Sequence, residues 1–220
     1  MTAAVIFDID GTLVTFTFDV QRSREALLRE MSARGFNTAG MGLTTPTQLI
    51  IDAAQDQVAR GQVEADFEAL RKKFYDILDG FELAGVSTTS VLPGVSESLA
   101  YLKSQGVRLG VLTNSGRKAA TKALARAGLT DMFEFVLTRD ETLSLKPRPE
   151  GLRKAVLMLG LPSGDVYYVG DSTMDIVAAR AAGLKLISVA TGSYSEERLR
   201  KEGAELVVSS LEELPRVIGV

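Results

Sequence analysis

Thr2-Ala3-Ala4-Val5-Ile6-Phe7-Asp8-Ile9-Asp10-Gly11-Thr12 follows the first methionine. From Thr2 to Ile9 the run is short, apolar and β-branched, and it breaks at Asp10-Gly11. That pattern predicts a buried strand followed by a turn. Asp8 lies inside the apolar run, where an unpaired carboxylate is costly. Alternation puts Asp8 and Asp10 on the same side if the chain stays extended. Two carboxylates this close do not both ionise freely unless a cation sits between them or one holds a proton. One can then act as nucleophile and the other as general acid. The plainer reading is a turn, since Asp-Gly is a common turn pair, but it leaves the carboxylate within the apolar strand unexplained.

Outward from this strand the periodicity changes. From Asp19 to about Ala84 it is helical throughout, with helices expected over Asp19–Arg34, Thr47–Arg60 and Val63–Leu83. Phe67, Phe74 and Phe81 fall at packing positions of the last of these. After Ser90 helices and strands alternate. Strands are expected at Val107–Thr113, Phe133–Leu137, Val166–Val169, Lys185–Val189 and Leu206–Val208, and a closing helix from Leu211. Alternation of this kind implies parallel strands with helices on both faces. The expected fold is therefore an α/β, Rossmann-like parallel sheet core with a helical insert after its first strand. The junctions fall near Thr15–Phe18 and Val86–Leu92, giving a core of 1–17 and 88–220 and an insert of 18–87.

Ligands of an open parallel sheet bind at the carboxyl ends of its strands, so the polar residues there are the candidates. After the second core strand come Thr113-Asn114-Ser115-Gly116, where a hydroxyl, an amide and a helix N-terminus make a seat for phosphate. Lys146-Pro147 lies in the loop after the next strand and offers a point positive charge. Gly170-Asp171-Ser172 ends the fourth, and Asp175 follows at i+4, on the same helix face and suited to a hard cation. Taken singly, Thr113-Asn114-Ser115 reads as a helix cap, Lys146 as a solvated lysine and Asp175 as a surface charge. Their common place at strand ends is what gives them weight.

Composition narrows the chemistry. The 220 residues include 45% hydrophobic and 24% charged, with formal net charge −3. This balance supports a sizeable core and lacks the broad basic surface of nucleic-acid binding. There is no cysteine and no histidine, so a thiol nucleophile, a disulfide framework and an imidazole base are absent. A metal site must be built from oxygen, favouring Mg²⁺, Ca²⁺ or Mn²⁺ over zinc. No early basic cluster precedes the aspartates, and no apolar run approaches the roughly 20 residues that span a membrane. A cytoplasmic protein is the expectation.

Asp8-x-Asp10-Gly11-Thr12, Thr113, Lys146-Pro147 and Gly170-Asp171-x-x-x-Asp175 resemble, in order and spacing, the four motifs of the haloacid dehalogenase-like (HAD) superfamily. The helical insert resembles that family's small all-helical cap, and the layout is similar to phosphoglycolate phosphatases. The resemblance implies a Mg²⁺-dependent phosphatase acting on a small phosphorylated metabolite, as a monomer or homodimer, without nucleic acid or membrane. It implies Asp8 as the nucleophile that takes up the phosphoryl group. Asp10 would be the acid–base group. Thr113, Asn114 and Lys146 would bind the phosphoryl oxygens. Asp8, Asp10 (through its main-chain carbonyl), Asp171 and Asp175 would form the metal site. The family's dehalogenases lack an acid at the position of Asp10, because halide leaves without a proton. Two alternatives are a phosphosugar mutase of the same superfamily, which often uses a cap histidine this chain lacks, and a receiver that accepts phosphate on aspartate without turnover. A P-loop enzyme is disfavoured, since no Gly-x-x-x-x-Gly-Lys-Ser/Thr occurs.

Overall fold

The computed structural model describes residues 4–15 and 18–220. The apolar run near the N-terminus forms β1 (Ala4–Phe7), with every residue buried. A second, two-residue strand follows, β2 (Val14–Thr15). Three helices come next: α1 (Val20–Ala33), α2 (Thr47–Ala59) and α3 (Phe67–Gly85). Beyond them lie β3 (Ser90–Val91), α4 (Val95–Ser104), β4 (Arg108–Leu112), α5 (Arg117–Arg126), β5 (Phe135–Leu137) and α6 (Glu150–Leu159). The chain ends with β6 (Val166–Gly170), α7 (Thr173–Ala182), β7 (Lys185–Val189), α8 (Glu196–Lys201), β8 (Leu206–Val208) and α9 (Leu214–Ile218). Contacts divide it into two compact units, Met1–Phe16 with Thr88–Val220, and Thr17–Ser87.

In the larger unit six strands form one sheet in the order β5-β4-β1-β6-β7-β8. All neighbouring pairs are parallel. β1 is central and buried on both faces, which is why it reads as an unbroken apolar run rather than an alternating one. One face carries Ile6, Leu112 and Tyr168 against Leu152 and Ala155 of α6 and Ala178 and Ala179 of α7. The order departs from sequence between β4 and β6, which flank β1, so the carboxyl ends of these three strands bring Asp8, Thr113 and Asp171 to one edge. This reversal of strand order is where open α/β sheets bind ligands.

The smaller unit is helical. Asp19 caps α1 by accepting from the Arg22 amide, and Asp66 caps α3 by accepting from the amides of Glu68 and Ala69. Each helix turns an apolar stripe inward, with Leu27, Met31, Ile50, Ala54, Leu70 and Phe74 all buried. α3 starts at Phe67, later than Val63, because Asp66 supplies the cap and the preceding residues form no helix.

Most expected elements coincide with those observed to within two residues. Besides the starts of α3 and α9, the exceptions lie at the junctions. Thr2 and Ala3, assigned above to the first strand, lie outside the described residues, as do Phe16 and Thr17 of the first junction. Around the second junction, β3 pairs antiparallel with β2, through Val14↔Val91 and Thr15↔Ser90. Two-residue strands have no readable period, so the sequence shows only a polar stretch there. Among the described residues no helix is long and apolar enough to cross a membrane.

Candidate active site

The site begins where β1 ends. The Asp8 amide still donates to Val169 O of β6 at 2.9 Å, so Asp8 is the last residue held in register. Beyond it the chain does not stay extended. Ile9 O accepts from the amides of Thr12, Leu13 and Val14, closing a tight turn. Gly11 sits in that turn at φ +72°, a region that favours glycine. Asp10 in this turn is half-buried, whereas Asp8 is buried.

Lys146 reaches Asp8 from the loop after β5. Its Nζ lies 2.9 Å from Asp8 Oδ1 and 2.7 Å from Asp175 Oδ1. The loop is held by a reciprocal pair. Asn114 Oδ1 accepts from the Lys146 amide at 2.8 Å, and Asn114 Nδ2 donates to Lys146 O at 3.0 Å. Thr113, after β4, is buried, and its Oγ1 accepts from the Ser115 amide at 3.2 Å. That bond leaves the Thr113 hydroxyl proton available to another acceptor. The Lys146-Pro147 peptide bond is cis.

Asp171 and Asp175 arrive from β6 and the first turn of α7. Asp175 completes a capping box with Ser172, its Oδ2 accepting from Ser172 N at 3.0 Å and Ser172 Oγ at 2.6 Å. Its Oδ1 accepts from Lys146 Nζ and, at 2.6 Å, from the Tyr168 hydroxyl. The four lone-pair positions of the Asp175 carboxylate are thus all engaged. Asp171 is held by shape. Gly11 and Gly192 pack on its carboxylate so closely that a Cβ at either would collide with it. Thr191 Oγ1 donates to Gly11 O at 2.6 Å, tying the β7 loop to the Asp-Gly turn.

Carboxylate oxygens of Asp8, Asp171 and Asp175 lie within 4.8 Å of one another, all buried. Burial pushes Asp8 up to about 6 from 3.8, with Lys146 pulling down and Asp175 pushing up. Asp171 rises further, to about 8, first through burial and then through the charges of Asp175 and Asp8, which Lys146 only partly offsets. Asp10 is not one of the trio, yet its charge adds to that upward push. Burial also works to raise Asp175, but the Lys146 charge and the bonds from Lys146, Ser172 and Tyr168 prevail and hold it low. Burial would lower Lys146, yet the negative charges of Asp175 and Asp8 outweigh it and hold its pKa above the ordinary value. Three carboxylates thus share one ammonium, and Asp171 carries the uncompensated charge. A hard divalent cation fits this all-oxygen donor set.

Of the residues expected from sequence, Asp8, Lys146, Asp171 and Asp175 form one cluster, Asn114 clamps its lysine, and Thr113 ends the strand beside β1. Sequence reading missed Tyr168 and Arg139. Arg139 is fully buried, with Nη1 donating to Asn114 O at 3.2 Å and its amide to Ser115 O at 3.2 Å. The strand-end rule, extended to Thr138-Arg139 after β5, would have found it.

A parallel α/β sheet thus gathers these aspartates and a buried lysine at its carboxyl edge. A family model of haloacid dehalogenase-like hydrolases matches residues 5–189, and the chain belongs to that family. It is 33% identical to the plasmid-borne phosphoglycolate phosphatase of Cupriavidus necator over 98% of this chain and 92% of that one. It is 31% identical to the phosphoglycolate phosphatase of Neisseria meningitidis, over 96% and 91%. Among solved structures, a hydrolase from Pseudomonas syringae superposes with TM-score 0.69 at 22% identity, covering 98% of this chain and 97% of the other. A predicted phosphatase from Clostridium acetobutylicum superposes with TM-score 0.71 at 24% identity, covering 99% and 98%. The chain is an enzyme of the phosphatase class.

Proposed function

We propose that this enzyme is a Mg²⁺-dependent phosphatase for a small, phosphoglycolate-like phosphomonoester, working through a phosphorylated Asp8. The observation that carries the reading is the buried Asp8 carboxylate, held 2.9 Å from the Lys146 ammonium in one cluster with Asp171 and Asp175. Lys146 favours the anionic form of Asp8, which the nucleophile requires. Asp8 attacks phosphorus in line. Asp10, more exposed than Asp8, protonates the leaving alkoxide and then takes a proton from the water that hydrolyses the acyl phosphate. Thr113, the first turn of α5 and Lys146 receive the phosphoryl oxygens. The Asn114 side chain already serves the Lys146 main chain, which supports an indirect part in phosphate binding, through the lysine loop.

Asp8, Asp171 and the main-chain carbonyl of Asp10 would hold Mg²⁺, which when bound neutralises charge on the phosphoryl group. The four hydrogen bonds that Asp175 already accepts support its contact with the ion through water. Phosphoryl transfer mainly needs positioning and charge neutralisation, and each unit like-charge pair at about 4 Å costs about 4 kcal/mol at an effective dielectric near 20. The helical unit is read as a cap that excludes water and selects substrate. The relatives named phosphoglycolate phosphatases support the substrate class.

The test is a screen of phosphorylated metabolites, 2-phosphoglycolate included, reading released phosphate with and without Mg²⁺. Asp8→Asn should abolish turnover, and Asp10→Asn should reduce it severely. Unchanged hydrolysis of p-nitrophenyl phosphate by Asp8→Asn would refute the nucleophile assignment.

A further inference from the structure

Tyr168 has no part in the mechanism above, yet its hydroxyl lies at the centre of the cluster. The side chain is fully buried on β6. Its oxygen accepts from Lys146 Nζ at 2.9 Å and donates to Asp175 Oδ1 at 2.6 Å. With the 2.7 Å contact from Lys146 to Asp175, these three atoms close a triangle. Lys146 therefore has an acceptor for each of its three ammonium hydrogens: Asp8, Asp175 and Tyr168.

We propose that Tyr168 is a positioning residue whose hydroxyl aims the Lys146 ammonium at Asp8. A lysine is a compact charge on a flexible four-carbon stem. Two carboxylates alone would attract it without fixing its direction, and the phenol supplies the third point that does. The hydroxyl also donates to the same Asp175 oxygen that Lys146 uses, so both ends of the Lys146–Asp175 bond are anchored to one rigid ring. Of the three acceptors the phenol alone is neutral, so it directs the ammonium while the two carboxylates supply the charge that draws it. This inference rests on the reading of Lys146 as the group that neutralises phosphoryl charge.

Tyr168→Phe removes one oxygen and keeps the buried ring. Tyr167→Phe is the control, since that half-buried ring lies beneath Lys185, with the ammonium 5.2 Å from its centroid. Steady-state kinetics with p-nitrophenyl phosphate and the dissociation constant of inorganic phosphate would be measured for both variants, for Lys146→Met and for Lys146→Met/Tyr168→Phe. Melting curves would establish that each is folded at the assay temperature. Tyr168→Phe should lower kcat at least tenfold, weaken phosphate several-fold and change KM less than kcat. In the Lys146→Met background the same substitution should change kcat/KM less than twofold, because residues acting through one another are not additive. Tyr167→Phe should match the unmodified enzyme. A kcat and phosphate affinity within twofold of the unmodified enzyme in Tyr168→Phe would overturn the proposal. So would an equal loss in both backgrounds, which marks a role in packing alone. An unmodified protein that hydrolyses no phosphomonoester would instead bring down the phosphatase reading, and this inference with it.

Discussion

Replacing Asp171 by Asn should inactivate the enzyme and at the same time stabilise its metal-free form. The carboxyl titrates near 8 in the folded protein against 3.8 as its ordinary value, first because it is buried and then because Asp175 and Asp8 face it. Between those two values the folded protein keeps a proton that the unfolded chain has released. Stability due to this group is therefore full below about pH 4, falls as pH rises, and is lost above about 8. The interval corresponds to about 5–6 kcal/mol. Asn keeps the shape that packs on Gly11 and Gly192 and carries no charge. In EDTA at about pH 9, Asp171→Asn should melt above the unmodified protein by as much as about 10–20 °C, taking roughly 2–4 °C per kcal/mol at this size. The difference should shrink to almost nothing near pH 4. Adding Mg²⁺ should raise the melting temperature of the unmodified protein, by about 2.7 kcal/mol of stability at a hundred times its dissociation constant, and should leave the variant unmoved. Scanning fluorimetry across pH, with and without Mg²⁺, reads all three. A variant that melts lower than the unmodified protein at pH 9 without metal would show that the charge on Asp171 is already compensated, and would refute the argument.

Lys146→Met should act in the opposite direction. Each contact, at 2.9 and 2.7 Å, is worth about 6 kcal/mol at an effective dielectric of 20. Removing one partner of a buried pair costs about 3–5 kcal/mol net, or roughly 6–20 °C in the same assay. An unchanged melting temperature would argue against the pairing. Gly192→Ala places a methyl against the Asp171 carboxylate, which must rotate away. The variant should fold and need at least tenfold more Mg²⁺ for half-maximal activity, and an unchanged Mg²⁺ titration would remove Gly192 as the element that orients Asp171. Asn114→Ala deletes both bonds to the Lys146 main chain, so amide exchange around Leu145 and Lys146 should accelerate and turnover should fall. Unaltered exchange there would show that the loop is held by other means.

The sequence by itself determined the order of elements and the chemistry available. Ala4–Phe7 is apolar without alternation because a central parallel strand has no solvent face, and the absence of histidine and cysteine left only carboxylates, hydroxyls and lysine to react. Asp8, Thr113, Lys146 and Asp171 were legible because an open sheet presents its strand ends as one edge, so four distant positions could be assigned to one place. Tertiary structure alone decided which of them touch. Strand alternation suggested a shared side for Asp8 and Asp10 if the chain stayed extended, whereas just beyond Asp8 the backbone closes into a turn on Ile9 O, a choice made by backbone hydrogen bonding that no spacing encodes. That Asn114 also holds the Lys146 main chain through both of its polar atoms is visible only in the fold. Tyr168 reads as an ordinary strand residue until the Lys146 loop is folded over it. Propensity and period are local, whereas a buried hydrogen-bond network depends on distances between segments far apart in the chain, and those are fixed only once the core has packed.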